Sequence, residues 1–140
     1  MRSMMKKVVL TVLACLLVCC AVSCGNAIKG DEAKAVINDF FDAVVAEDYD
    51  KAEELLHPSR PVDMEAFFLQ VEQEESMDFQ EGIEIERYTG FSTSWYDSSV
   101  DGSRYELSMR AKVGDKTVSF TVEVVRNEDG YGIYNVVINT

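Results

Sequence analysis

Few residues of this chain have the type and spacing that chemistry needs. His57 is the single histidine, and imidazole is the side chain best suited to moving protons near neutral pH. It closes a short apolar segment and precedes Pro58, which disfavours helix in the residue before it. That place equally suits a residue that caps a helix or compensates its dipole. Arg87 falls on the inner parity of the first strand-like segment, where the turn-based register puts it near Asp115 at the sheet's end, in reach of a surface ion pair. Glu106 and Glu123 lie opposite each other once the segments around Gly114 are paired. Two facing carboxylates could share a proton; alternatively Arg104, diagonal to Glu123, bridges both and makes them structural. Glu72, Glu74 and Glu75 crowd one helix end without the spacing of a metal loop, and "DSSVDG" (97–102) lacks the distal glutamate of a calcium loop. With no glycine-rich phosphate loop and no nucleophile motif, His57 and Arg87 remain as weak catalytic candidates, no catalytic residue is assigned, and no metal or cofactor is implied.

The elements that must position these residues divide the chain in two. Ala33, Val36, Ile37, Phe40, Phe41 and Val44 recur at three- and four-residue intervals, which predicts an amphipathic helix capped by Asp31. A second, short helix carries Ala52, Leu55 and Leu56. A third opens near Pro61 and Asp63, with Phe67, Phe68 and Val71 on its buried side. From Ile83 the period becomes two. Tyr105, Leu107, Met109, Ala111 and Val113 alternate with polar residues, as do Val118, Phe120, Val122 and Val124. Gly114-Asp115 reads as a two-residue hairpin turn. Pairing Val113 with Lys116 then sets apolar residues opposite one another along the whole ladder. Treating "VDG" (100–102) and "EDG" (128–130) as three-residue loops puts Phe91, Thr93 and Trp95 against Ala111, Met109 and Leu107. The same rule turns Tyr134, Val136 and Ile138 inward.

The fold expected is therefore α+β: three N-terminal helices packed on one face of a curved, four-stranded antiparallel meander. Phe40, Phe41, Trp95 and Tyr105 would surround either a pocket or a packed core between helix and sheet. Val125, Ile133 and Val137 would point outward, leaving an apolar second face to be covered. The third helix or the N-terminal segment could cover it, or else a second copy of the chain or another envelope protein.

All four cysteines lie between residues 15 and 24. Arg2, Lys6 and Lys7 precede an apolar run, Val8 to Val22. As a helix it would be about 22 Å long, short of the roughly 30 Å that spans a bilayer, and so it reads as a secretory signal. "AVSC" (21–24) resembles the lipobox of bacterial lipoproteins, with Ala21 where leucine is usual. The resemblance implies diacylglyceryl transfer to Cys24, cleavage before it, and a protein held by lipid on the outer face of the bacterial cell membrane. The chain would then comprise a signal peptide (1–23), a lipid-anchored linker (24–30) and one domain (31–140). The mature part carries 10 basic against 25 acidic residues, a formal charge of −15. That excess repels nucleic acid and anionic lipid headgroups. With Cys24 lipidated, no thiol remains for a disulfide, so stability falls to the core.

The run "FFDAVVAEDYDKAEELLHPS" (40–59), followed by a late meander, resembles the nuclear transport factor 2-like, or cystatin-like, superfamily. That resemblance implies a curved sheet wrapped around the first helix, often with a pocket in the cone, and frequent dimers across the sheet. It implies no single activity, since members include isomerases, hydrolases and inert scaffolds. The reading reached is a membrane-anchored binding or interaction domain without catalysis. The alternative is a small-molecule isomerase or hydrolase using the cone.

Overall fold

The computed structural model describes residues 27–140; the signal segment, the lipobox and Cys24 lie outside the described residues. Helix α1 runs Gly30–Val45, α2 Tyr49–Glu54 and α3 Met64–Glu75, followed by a 3-10 turn at Phe79–Glu81. Four strands follow, β1 Ile83–Asp97, β2 Gly102–Val113, β3 Lys116–Asn127 and β4 Gly130–Asn139. They pair antiparallel in the order β1-β2-β3-β4. The class is α+β, three helices on a four-stranded antiparallel sheet.

Local chemistry explains the boundaries. The N-cap of α1 is Lys29, not Asp31, and Glu32 in the first turn accepts from the Lys29 backbone N–H at 3.4 Å. Ile28, just outside the helix, is already buried in the core. Asp48 caps α2 by accepting from Lys51 N–H, and Asp63 caps α3 by accepting from Ala66 N–H. The acidic end of α3 is partly engaged. Glu72 accepts from Phe79 N–H at 3.3 Å, and Glu75 from the Thr140 hydroxyl at 2.8 Å. The Glu75 carbonyl takes the Lys116 ammonium.

The β2–β3 ladder has the expected register, from Val113↔Lys116 through Ala111↔Val118, Met109↔Phe120 and Leu107↔Val122 to Tyr105↔Val124. Its inner residues meet Ile37, Phe40, Phe41 and Val44 of α1 in one core. Phe41 sits 4.9 Å from Phe120 and Phe40 5.9 Å from Phe68, ring centroid to centroid. Phe40, Phe41 and Tyr105, proposed as pocket lining, are therefore buried packing residues.

The outer strands depart from expectation. The β1–β2 turn spans residues 98–101, with Asp101 at φ 51 in the left-handed region that aspartate tolerates. Phe91 and Thr93 consequently oppose Leu107 and Tyr105, and further irregularities fall between Ile85 and Arg87, between Tyr88 and Gly90, and between Ser94 and Asp97. The β3–β4 turn has two residues, with Asn127 opposite Gly130. A bulge then inserts Tyr134, since Glu123 pairs with Asn135 and the next residue, Val124, with Ile133. Because of that extra residue, Ile133, Val136 and Ile138 all reach the core, which period two alone forbids.

Candidate functional site

The two edges of the sheet are built differently, and the sequence-derived candidates divide between them. At β4 the segment after α2 adds a short parallel bridge, Leu56↔Ile133. His57 N–H donates to the Ile133 carbonyl at 2.8 Å and Ile133 N–H to the Leu55 carbonyl at 2.9 Å. Pro58 stops α2 from continuing, which frees this segment to run beside β4. A side chain at Gly132 would place its Cβ 2.6 Å from the His57 nitrogen, so only glycine lets the strap approach.

His57 locks the strap and is not an exposed base. It is fully buried. Its Nδ1 accepts from Ser59 N–H at 3.1 Å, so the ring proton is on Nε2, which donates to Asn127 Oδ1 at 2.9 Å. Asn127 in turn donates to the Val100 carbonyl at 2.9 Å. Tyr134 meets the imidazole edge-on at 5.7 Å and carries Arg60 over its ring at 4.5 Å. The network ties α2, β3 and both turns at one end of the sheet and leaves neither imidazole nitrogen facing solvent.

Glu106 does oppose Glu123. Arg104 takes Glu123 as expected, but its second partner is Asp97, whose Oδ2 lies 3.0 Å away, and not Glu106. Asp97 reaches Arg104 because β1 ends beside Gly102. The two carboxylates push the guanidinium pKa up. The Ser99 hydroxyl and N–H, with Arg104, hold the Asp97 carboxyl down at about 2. Arg87 is exposed and opposes Arg110, far from Asp115, because the irregularities in β1 shift its register. Neither the His57 nor the Glu123 group forms an acid–base pair open to a substrate, and no cluster of metal-ligating side chains occurs among the described residues.

The apolar face expected from Val125, Ile133 and Val137 is corrected likewise. Ile133 is turned inward because the last turn has two residues, which sets it opposite Val124; the Tyr134 bulge then returns Val136 and Ile138 to the same side. Val125 is buried outside the main core, as is Val100 of the β1–β2 turn; Asn127 holds that turn over this end of β3. Val137 alone of the three is exposed, at 41%. Trp95, expected inside, is 77% exposed.

Exposed apolar surface collects instead on β1, whose outer edge has no partner strand among the described residues. Tyr88, Phe91, Trp95 and Tyr96 are all exposed there. Phe91 stacks on Tyr105 at 6.0 Å and 7°, Lys34 of α1 lies 4.5 Å over the Tyr88 ring, and Trp95 leans on Tyr96 at 6.2 Å. The Tyr96 hydroxyl donates to Asp101 at 2.9 Å, which raises its pKa. Trp95 and Tyr96 also line an open cleft of about 480 Å³ with Ser103 and Asn127. Phe91 has the expected inward parity, opposite Leu107, but on the outermost strand it stays 69% exposed; Trp95 lies past the irregularity after Ser94 and leaves that parity. The signal available was the run of four aromatics, interrupted by Gly90 and small hydroxyl residues, on the sheet's first strand.

No family model, no curated protein and no solved structure matches this chain.

Proposed function

We propose that the protein is an extracytoplasmic bacterial lipoprotein, held at the outer face of the cell membrane by lipid on Cys24, whose domain binds a partner and performs no catalysis. The observation that carries this reading is the contrast in the use of side chains. His57 and Glu123, the buried titratable groups a catalyst would draw on, are taken up by structural partners. Four aromatic rings meanwhile stand exposed on the open edge strand. An isomerase or hydrolase of the cone type would need a base inside, where Phe40, Phe41, Met109 and Phe120 are packed. A nuclear transport factor 2-like fold is supported by the order of helices before meander and by α1 lying in the core; the described residues between α2 and α3 carry no strand, unlike many members.

Mass spectrometry of the native protein tests the anchor. The expected product begins at Cys24 and carries a diacylglyceryl group on its sulfur. An unmodified Cys24, or retention of residues 1–23, overturns the reading. For the domain, Phe91→Ser with Tyr96→Ser should abolish capture of a partner while the fold persists by circular dichroism; undiminished binding would remove the open edge from the proposal.

A further inference from the structure

The aromatic cluster lies beside the point where the chain enters the fold. A Cβ at Gly30, the first residue of α1, would sit 3.0 Å from the Tyr105 hydroxyl, and Phe91 stacks on the Tyr105 ring. Ile28, two residues earlier, is buried, so only the four residues 24–27 separate the Cys24 sulfur from the core. Fully extended, they reach about 14 Å. The further end of α1 is a full 16 residues away, roughly 24 Å along the helix axis. A lipid on Cys24 therefore keeps the entrance end of the domain, with Phe91 and its neighbours, within about 14 Å of the bilayer surface.

We propose that Phe91, Trp95 and Tyr96 insert into the headgroup layer of the membrane that carries the Cys24 lipid, so that the partner of the open edge is the lipid surface itself. This rests on the anchored reading above. Trp and Tyr suit that layer because an apolar ring can enter the acyl boundary while its N–H or O–H stays wet. One diacylglyceryl group already provides the stable attachment. What the aromatics add is orientation: they fix the sheet edge down. The local charge is compatible with this despite the strongly acidic chain. Lys29 is exposed beside the entrance, and Lys34 projects over Tyr88. Of the nearby acids, Asp97 is tied to Arg104, Asp101 to the Tyr96 hydroxyl and Glu32 to Arg126, while Asp31 and Glu128 are exposed. Insertion accordingly needs no anionic lipid.

Trp95 is the single tryptophan of the chain, so its fluorescence reads the patch directly. The test reconstitutes the native lipidated protein into phosphatidylcholine vesicles, with and without bromine on the upper acyl chain. The expected result is a blue-shifted Trp95 emission, quenching by the brominated lipid, and severalfold protection from aqueous iodide that is lost in Phe91→Ser/Tyr96→Ser. Protein that co-sediments with vesicles while Trp95 stays red, iodide-accessible and unaffected by bromine overturns the insertion and leaves the anchor standing. Trp95 protected from iodide but insensitive to brominated lipid, with protection rising with protein density, assigns the patch to a second copy and also overturns it. Protein that does not co-sediment, with Cys24 unmodified by mass, overturns the anchor and the insertion together.

Discussion

The β4 edge of the sheet is covered at one end, by a strap beside Ile133, and the β1 edge is open among the described residues. Both start from the same liability, a row of unpaired backbone groups that invites another strand. At β4 the chain answers with its own backbone, running Leu55–His57 alongside Ile133 and locking the strap with a buried imidazole. At β1 it relies on irregularity and charge. Three breaks in register disturb the edge, and Glu84, Glu86 and Arg87 are exposed along it. Irregular, charged edges resist other strands yet still accept flat or fluid surfaces. The strapped edge is thus where substitutions should unfold the protein, and the open edge is where they should change what it binds.

The largest effect is expected at Ile133. Ile133→Asp puts an unpaired carboxylate into the core beneath the strap, and stranding a buried charge of this kind costs roughly 3–5 kcal/mol. Val137→Asp, four residues along the same strand but 41% exposed, should stay within about 0.5 kcal/mol. Urea unfolding of the two variants measures the difference. Equal losses would mean that the two-residue turn does not set Ile133 inward opposite Val124.

Gly132→Ala comes next. Its Cβ would lie 2.6 Å from the His57 nitrogen and 2.8 Å from the Leu55 carbonyl oxygen, both backbone atoms with little room to yield. Overpacking together with loss of the two bridge hydrogen bonds should cost about 3 kcal/mol, and amide exchange at Ile133 should accelerate. Unchanged exchange there would show that the strap is not held by close approach to glycine. His57→Ala should cost somewhat less, about 2 kcal/mol, because the Ser59 N–H loses its acceptor while Asn127 Oδ1 still receives Asp129 N–H. Trp95 emission should shift with it, because Asn127 joins His57 to the Val100 carbonyl of the β1–β2 turn and lines the cleft beside Trp95; an unchanged spectrum would show that the network does not reach that turn.

The sequence made the centre of the sheet legible and left its edges obscure, for a physical reason. β2 and β3 are flanked on both sides, so a tight Gly114-Asp115 turn and strict alternation fix every pair. Edge strands tolerate extra residues because one side need not pair. Glu86, Thr89 and Tyr134 each break the alternation without leaving a mark in residue type. Reading the last turn as three residues turns Ile133 outward, whereas the two-residue turn sets it opposite Val124. Period two carries Trp95 inward past the irregularity after Ser94. Val125 does lie on the second face, but covered. His57 was legible as a helix-end residue. Its network was not, because Asn127 ends β3 at a shorter turn than expected, Val100 lies in the longer β1–β2 turn, and Tyr134 is the bulge of β4. The exposed aromatics were hidden by the usual assumption that Phe and Trp face inward.

The smallest effect sharpens the comparison from the solvent side. The turn that ends β1 is held by a carboxylate, with Asp97 Oδ1 accepting from the Ser99 hydroxyl at 2.6 Å and its N–H at 2.9 Å, and Oδ2 accepting from Arg104 at 3.0 Å. These donors favour the ionised form and place the folded-state pKa at about 2 against the ordinary 3.8. A folded value below the unfolded one contributes stability that is present above pH 3.8 and lost as pH falls through 2. Because Asp97 is solvent-exposed at its carboxyl, the loss should be slight and local, a loosening of the turn before the domain unfolds. A carbon-detected NMR titration should find the Asp97 midpoint near 2 and move it upward in Ser99→Ala and, by less, in Arg104→Ala, with Asp97→Asn removing this step from the acid limb. A midpoint near 3.8 in the unaltered protein would mean the turn is not closed, and with it would go the fixed platform on which Trp95 and Tyr96 stand.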